Sequence, residues 1–236
     1  LNELNQFITA EKITKNINPS YGSIQALKAR YDALIVFAED KVLKILSNKD
    51  VLFNADGNTQ LLSTNKVLGV ATPYVGEYGI SQNPESLASD QYRIYFTDKQ
   101  RGAVLRLSRD GLTPISDAGM RAWFRENLRS NLNYALGTYD IVNGEYNLTL
   151  NYVDDSLTNY TVTYNEASKG WVSFKSYLPR TGQSVSGRYV TAIDAVAPAD
   201  TGDTQTNNLT TLMIWKHYDT TVNRNNFYGT AYESRL

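Results

Sequence analysis

The sequence predicts a mainly β fold, and three observations carry that expectation. Among 236 residues there are 17 tyrosines against 7 phenylalanines and 2 methionines, and tyrosine suits half-buried strand faces where one end of the ring reaches water. Apolar segments are short and lie between clusters of Gly, Pro, Asn and Asp, at roughly the 8–12-residue spacing of sandwiches, barrels and propellers. The pattern also lacks the alternating helices that a parallel sheet requires. Counting hairpins gives about ten to twelve strands paired with their sequence neighbours. The expected architecture is a β-propeller-like body of short antiparallel hairpins with one external amphipathic helix.

Residues 1–30 are polar, with spaced apolar positions Leu4, Phe7, Ile8, Ile13 and Ile17 and a turn at Asn18–Ser23. They read as an N-terminal arm with room for one short helix and a helical turn at Ile24–Arg30, leaving 31–236 as the β domain. Ala33–Ala38 and Lys41–Leu46 form a hairpin around the acidic turn Glu39-Asp40. Leu52-Phe53, Gln60–Leu62 and Val67–Val70 are short strands separated by turn residues, the first two by Asn54–Asn58. In Thr72–Ile80 a proline and two glycines sit among aromatics, which suggests backbone packed closely against rings. Asn83-Pro84 opens a short helix, with Asn as the cap and Pro at its first position.

Tyr92–Thr97 and Ala103–Ser108 make the clearest hairpin, around the loop Asp98–Gly102 and ending at Asp110-Gly111. After Ser116 as a cap, Met120, Trp123, Phe124 and Leu128 recur at helical spacing, with Arg121, Arg125, Glu126 and Arg129 on the other side. Such a helix belongs on the outside of a β body. Beyond Tyr134 only strands are expected, at Leu136–Val142, Glu145–Val153, Tyr160–Tyr164, Trp171–Tyr177, Tyr189–Ala192 and Leu209–Tyr218. The polar stretch Ala197–Asn208 reads as a loop. A propeller is favoured because Tyr92–Gly111 runs strand, Asp-bearing turn, strand, Asp-Gly, and Tyr95-Phe96-Thr97-Asp98 is similar to the Tyr-Trp-Thr-Asp signature of some propellers. At roughly 40–45 residues per blade the chain allows about five blades, in a complete or an incomplete ring.

Charge and residue counts exclude several functions. With 23 basic against 24 acidic residues and a net charge of −1, the chain is neither a polybasic binder that works mainly by neutralising phosphates nor an acidic disordered tail. It has no cysteine, so disulfides, thiolate zinc sites, iron–sulfur clusters and cysteine nucleophiles are out of reach. The longest apolar runs, such as Ala33–Ala38, are far short of the roughly 20 residues of a membrane helix. The chain opens without Met and ends at Glu233–Leu236, which fits a fragment or a cleaved product of a longer polypeptide.

Few residues offer chemistry. The lone His217 lies in a strand with no serine or carboxylate assignable to it by spacing, and a structural or surface role is expected. Asp56-Gly57 and Asp110-Gly111 lack the alternating carboxylates of a calcium loop. Asp154-Asp155 and the pair Asp200 and Asp203 read as solvated acidic loops. No Gly-Lys-Ser/Thr or Gly-x-Gly-x-x-Gly motif is present. Ser108–Thr113 fails the spacing of a sialidase-type Asp-box. The basic set Lys99, Arg101, Arg106, Arg109, Arg121, Arg125 and Arg129 flanks aromatics, as a single-stranded nucleic-acid face does. Asp98, Asp110, Asp117 and Glu126 interleave with it, so interface or surface ion pairing is the plainer account. No catalytic, cofactor-binding or metal-binding residues are assigned, no cofactor is expected, and nucleic-acid contact is not supported.

The sequence resembles large virion structural proteins of tailed phages, including crAss-like phages. The resemblance runs through Tyr21–Leu27, Leu34–Val42, Gly76–Ile80, Asn83–Ser86, Ile94–Asp98, Arg101–Ser108, Asp110–Ser116 and Gly119-Met120. It continues in Gly137–Asp140, Glu145–Thr149, Lys169–Phe174, Trp215–His217 and Asn226–Gly229. It implies a non-enzymatic virion component in the tail, a homo-oligomer in a symmetric assembly with other tail proteins as partners. The arm Leu1–Pro19 and the loop Val196–Leu209 would then contact neighbouring subunits. The alternative is a carbohydrate-binding or glycan-degrading propeller for host recognition, using exposed Tyr and Trp beside paired acids. A DNA-channel lining is the weakest reading.

Overall fold

The structure, a computed structural model, describes residues 15–31, 33–53, 59–154, 157–196, 210–222 and 225–231. The turn at residues 54–58, Asp155, and the loop 197–208 with Asp200 and Asp203 lie outside the described residues, as do residues 1–14 of the expected arm. The chain divides into two compact units, Leu1–Ser81 and Gln82–Leu236.

The first unit is one antiparallel meander of β1 (Ile24–Arg30), β2 (Ala33–Ala38), β3 (Val42–Phe53) and β4 (Thr59–Pro73), in that spatial order. Ile24–Arg30 is an edge strand and not the expected helical turn. Tyr31, at φ 51°, reverses the chain within two residues, and Arg30 then falls opposite Ala33 in an antiparallel ladder. β2 has the bounds its apolar run implies. Ile35, Val36, Phe37 and Ala38 are all buried, so both strand faces are covered and the run need not alternate. A small core joins Val36, Leu43 and Ile45 to Ile17, Tyr21, Leu34, Leu68 and Ala71.

The three short strands expected between Leu52 and Val70 are instead parts of one long β3–β4 ribbon, paired from Leu43↔Pro73 to Phe53↔Thr59 with two register shifts. Ladder bonds are made by backbone alone, so polar runs such as Ser63–Lys66 interrupt a hydrophobic pattern without interrupting a strand. Glycine is required at Gly79, where a Cβ would stand 2.0 Å from the carbonyl oxygen of Glu39. That approach lets Ile80 and Ser81 donate backbone bonds of 3.1 and 2.9 Å to Ala38 and Glu39. Gly76 approaches the Tyr78 ring, the close glycine–aromatic packing expected in this segment.

The second unit strings further open meanders along the chain: β5 (Ala88–Ser89) to β8 (Gly111–Pro114), β9 (Leu132–Asp140) to β12 (Gly170–Lys175), and β13 (Thr181–Val185) to β15 (Thr210–Lys216), followed by the hairpin β16 (Asn226–Phe227) with β17 (Thr230–Ala231). The remaining strands are β6 (Ile94–Asp98), β7 (Ala103–Ser108), β10 (Glu145–Tyr152), β11 (Tyr160–Asn165) and β14 (Arg188–Val196). The mainly β class is therefore that of the structure, built from several small antiparallel sheets. Among the described residues no sheet closes on itself into a barrel. β9 packs against both β5 and β13, the first strands of the sheets on either side. Sequence reading missed β13, whose Thr181-Gly182-Gln183-Ser184 is too polar to register as a strand.

The helix α1 spans Arg121–Arg129 and begins after Met120, not after Ser116. Ser116 is buried in a 3₁₀ turn, Ile115–Asp117, and Gly119 at φ 84° prevents that turn from running on into the helix. Pro84 does open a short helix as expected, a 3₁₀ turn over Pro84–Ser86, although the Asn83 side chain makes no capping bond. Phe124 and Leu128 of α1 are fully buried in a core with Tyr95, Val104, Tyr146, Leu148, Leu150 and Val162.

β10 is covered on both faces, and the two faces differ. Tyr146, Leu148 and Leu150 point into the apolar core, while Asn147 and Thr149 are buried on the opposite side. There Asn147 Nδ2 donates to the Tyr189 hydroxyl at 3.3 Å, Thr163 donates to Asn147 Oδ1 at 2.7 Å, and Thr149 and Thr161 share a 2.9 Å bond. Buried polar groups cost little when so paired.

Candidate interaction surface

Three hairpins of the second unit turn in the same way. Each has four loop residues after an Asx that ends a strand: Asp98 pairs with Ala103, Asp140 with Glu145, and Asn165 with Gly170. In each, the Asx side chain accepts backbone N–H groups of its own loop: Arg101 at 3.0 Å for Asp98, Val142 at 2.9 Å for Asp140, and Ala167 at 2.9 Å for Asn165. The last loop residue is left-handed each time, with φ 65° at Gly102, 66° at Gly144 and 51° at Lys169. This is an Asx-turn feeding a left-handed exit. It recurs without exact sequence repetition because only the Asx and the positive φ are required.

One of these tips carries apolar side chains where polar ones are usual. Leu136–Val142 reads as a strand in the sequence, but β9 ends at Asp140, and Ile141 and Val142 sit on the turn, 57 % and 50 % exposed. Val185, at the tip between β13 and β14, and Tyr218, just past β15, are 56 % and 50 % exposed. Hydrogen bonds tie these positions together. Ile141 N donates to Ser184 Oγ at 3.0 Å while Ser184 Oγ donates to Tyr139 O at 2.7 Å. Asn143 Nδ2 donates to the Tyr218 hydroxyl at 2.8 Å, and that hydroxyl donates to Asp140. Burial, and then the bond to Asp140, raises the Tyr218 pKa, so the ring keeps its proton and its role as donor. The result is a set of exposed apolar side chains on loops already fixed in place.

On the other side of the same sheet end, Glu166 collects the Tyr95 hydroxyl at 2.6 Å, Arg106 at 3.0 Å and Arg93 at 3.5 Å, and Arg93 reaches on to Asp90 at 3.1 Å. The Tyr95 ring stacks with both Tyr139 and Tyr146, with centroids 5.7 and 4.9 Å away. This network fixes two sheets to each other. Sequence reasoning passed over Glu166, because nothing in a single loop glutamate signals two arginines from another sheet.

The basic set singled out in the sequence divides. Arg101 pairs with Asp98 and Arg106 with Glu166, while Arg129 donates to the carbonyl of Gln100. Arg121, Arg125 and Arg129 lie together on the exposed face of α1, and Arg109 and Asp110 form the β7–β8 turn. Among the acidic candidates, Asp154 is an exposed turn residue. No group of three or more metal-ligating side chains forms among the described residues. No described helix is long and apolar enough to cross a membrane. Asp140, the carboxylate bonded to the exposed Tyr218 ring, is itself fully buried, so the pair does not present an open acid beside a sugar platform.

His217 is 4 % exposed, with Nε2 2.7 Å from Thr191 Oγ1 and the rings of Tyr177 and Tyr189 at 4.8 and 4.7 Å. Burial and, secondarily, the Lys175 ammonium lower its pKa from 6.5 to about 4; Lys175 itself is paired with Glu145 at 2.9 Å. The folded state thus holds the imidazole neutral. Its contribution to stability is complete above pH 6.5 and is lost as pH falls toward 4, by at most about 1.4 kcal/mol per pH unit. His217→Gln is expected to flatten the stability profile between pH 6.5 and 4.5 in chemical denaturation; parallel profiles for the two proteins would refute this.

A family model described as Crassvirus muzzle protein matches residues 12–194 of the chain. No curated protein matches the sequence.

Proposed function

The chain belongs to the Crassvirus muzzle protein family, and from that premise we propose that this phage virion structural component is a tail subunit that acts by protein–protein contact and has no bond-making centre. Its partners are other tail proteins and further copies of itself in a symmetric assembly. The sheets of the second unit serve as propeller-like blades. That reading is supported by the meander order of each sheet, by the packing of β9 against β5 and β13, the first strands of their sheets, and by the recurrent Asx-turns.

The observation that carries the proposal is the apolar patch of Ile141, Val142, Val185 and Tyr218. Apolar groups cost least to dock when the loops that bear them are already ordered, since little conformational entropy remains to be lost. Tyrosine is also among the residues that dominate contact energies. The double variant Ile141→Asp, Val142→Asp is expected to melt like the wild type, because both side chains are exposed, yet to fall at least tenfold in particle-associated chain when it replaces the wild type in phage. Incorporation at wild-type level would overturn the role of the patch.

A further inference from the structure

We infer that the outer face of α1 docks an acidic helical segment of another virion protein, an inference that rests on the structural-component reading. Arg121, Arg125 and Arg129 are spaced four residues apart on this face and, with Ala122 and Glu126, line a shallow groove of about 520 Å³. Like charges at i, i+4 work against a helix, and Arg121 also stands at the N-terminal end, where the helix dipole disfavours a cation. The fold does little to offset this. Arg121 is 81 % exposed and reaches Asp117 only at 3.7 Å, and Arg129 donates to the neutral carbonyl of Gln100 at 3.1 Å. Arg121 and Arg125, held at the expense of helix stability, are accounted for by an anionic partner, and Arg129, in the last turn where the helix dipole favours a cation, extends their stripe.

Geometry selects the partner's form. Residues four apart on a helix rise by about 6 Å, so carboxylates at i, i+4 and i+8 of a second helix match the three arginines in step. A nucleic acid would need a basic field wider than one nine-residue helix, on a chain whose net charge is −1. A second copy does not supply the segment, because α1 is the one α-helix among the described residues and carries a single acid, Glu126.

The test is fluorescence anisotropy with the full chain and three labelled probes: an alanine-based helical peptide with glutamates at i, i+4, i+8 and i+12, a peptide of the same composition with its glutamates spread around the helix, and a 20-nucleotide single-stranded oligothymidine. The striped peptide is expected to bind at least fivefold tighter than the scattered one. Its affinity should fall with added salt and drop at least tenfold in Arg125→Glu, while Arg109→Glu, on the β7–β8 turn, changes it less than twofold. Equal binding of the two peptides, tighter binding of the oligonucleotide, or no effect of Arg125→Glu in a protein with unchanged melting would each overturn the inference. Those results leave the apolar patch untouched, since that reading stands or falls on incorporation of the Ile141/Val142 variant.

Discussion

Truncating Phe124 to alanine is expected to destabilise the second unit by about 3–5 kcal/mol, the usual cost of emptying a fully buried aromatic site. Phe124 is 0 % exposed and lies 4.4 Å from the Trp171 ring, whose Nε1 donates to Ile115 O at 3.0 Å. The void would therefore open between α1 and the core without a neighbour free to collapse into it. Phe124→Leu, which restores most of the volume, should recover more than half of the loss. All three tryptophans, Trp123, Trp171 and Trp215, belong to the second unit, so tryptophan fluorescence during urea denaturation reads the effect directly. A midpoint within error of the wild type for Phe124→Ala would show that α1 does not contribute to the core as its burial implies.

Gly137→Ala is expected to be as damaging from the addition of a single methyl group. A Cβ at Gly137 would lie 1.9 Å from the carbonyl oxygen of Ser86 and 3.0 Å from Tyr146 Cε2. The same carbonyl accepts the buried Tyr146 hydroxyl at 2.9 Å, so moving it aside breaks a bond that has no replacement. Overpacking against backbone has no rotamer to relieve it. A fall in Tm of about 10 °C or more is the expected result for a unit of this size, and Ser86→Gly, which keeps the carbonyl, should not rescue it. Gly182→Ala is the contrast. There the nearest atoms are the methyls of Thr191 and Thr138, at 2.8 and 3.0 Å, with the Val190 carbonyl oxygen at 3.3 Å, so the overlap is smaller than at Gly137 and the loss should be smaller too. Melting of Gly137→Ala at the wild-type temperature would mean that the sheets are not held at this separation.

Much of the fold is legible in the chain. β2 and β7 have the bounds that their apolar runs imply, and α1 lies where Trp123, Phe124 and Leu128 recur at helical spacing. These are local signals: a run of β-formers or a 3.6-residue period acts through neighbours a few residues away. Boundaries that depend on a partner were not legible. Ser116 has the right chemistry for a cap, but burial of the Ile115–Asp117 turn and the left-handed Gly119 move the start of the helix to Arg121. The polar β13 reads as no strand at all, and it exists because β14 supplies its ladder.

The candidate surface shows the same division. By itself the sequence determined a mainly β chain with no thiol chemistry, a near-neutral charge, one amphipathic helix with a basic face, and the Asx residues that its hairpin turns require. Tertiary structure alone decided that Asn147 and Thr149 are buried among hydroxyls, although alternation within β10 would give them to solvent. It also decided that Glu166 collects two arginines, and that Ile141 and Val142 stand exposed on a tip. The physical reason is range: backbone preference and periodicity act along the chain, whereas burial and the pairing of polar groups depend on what another strand, far off in sequence, brings to the same place.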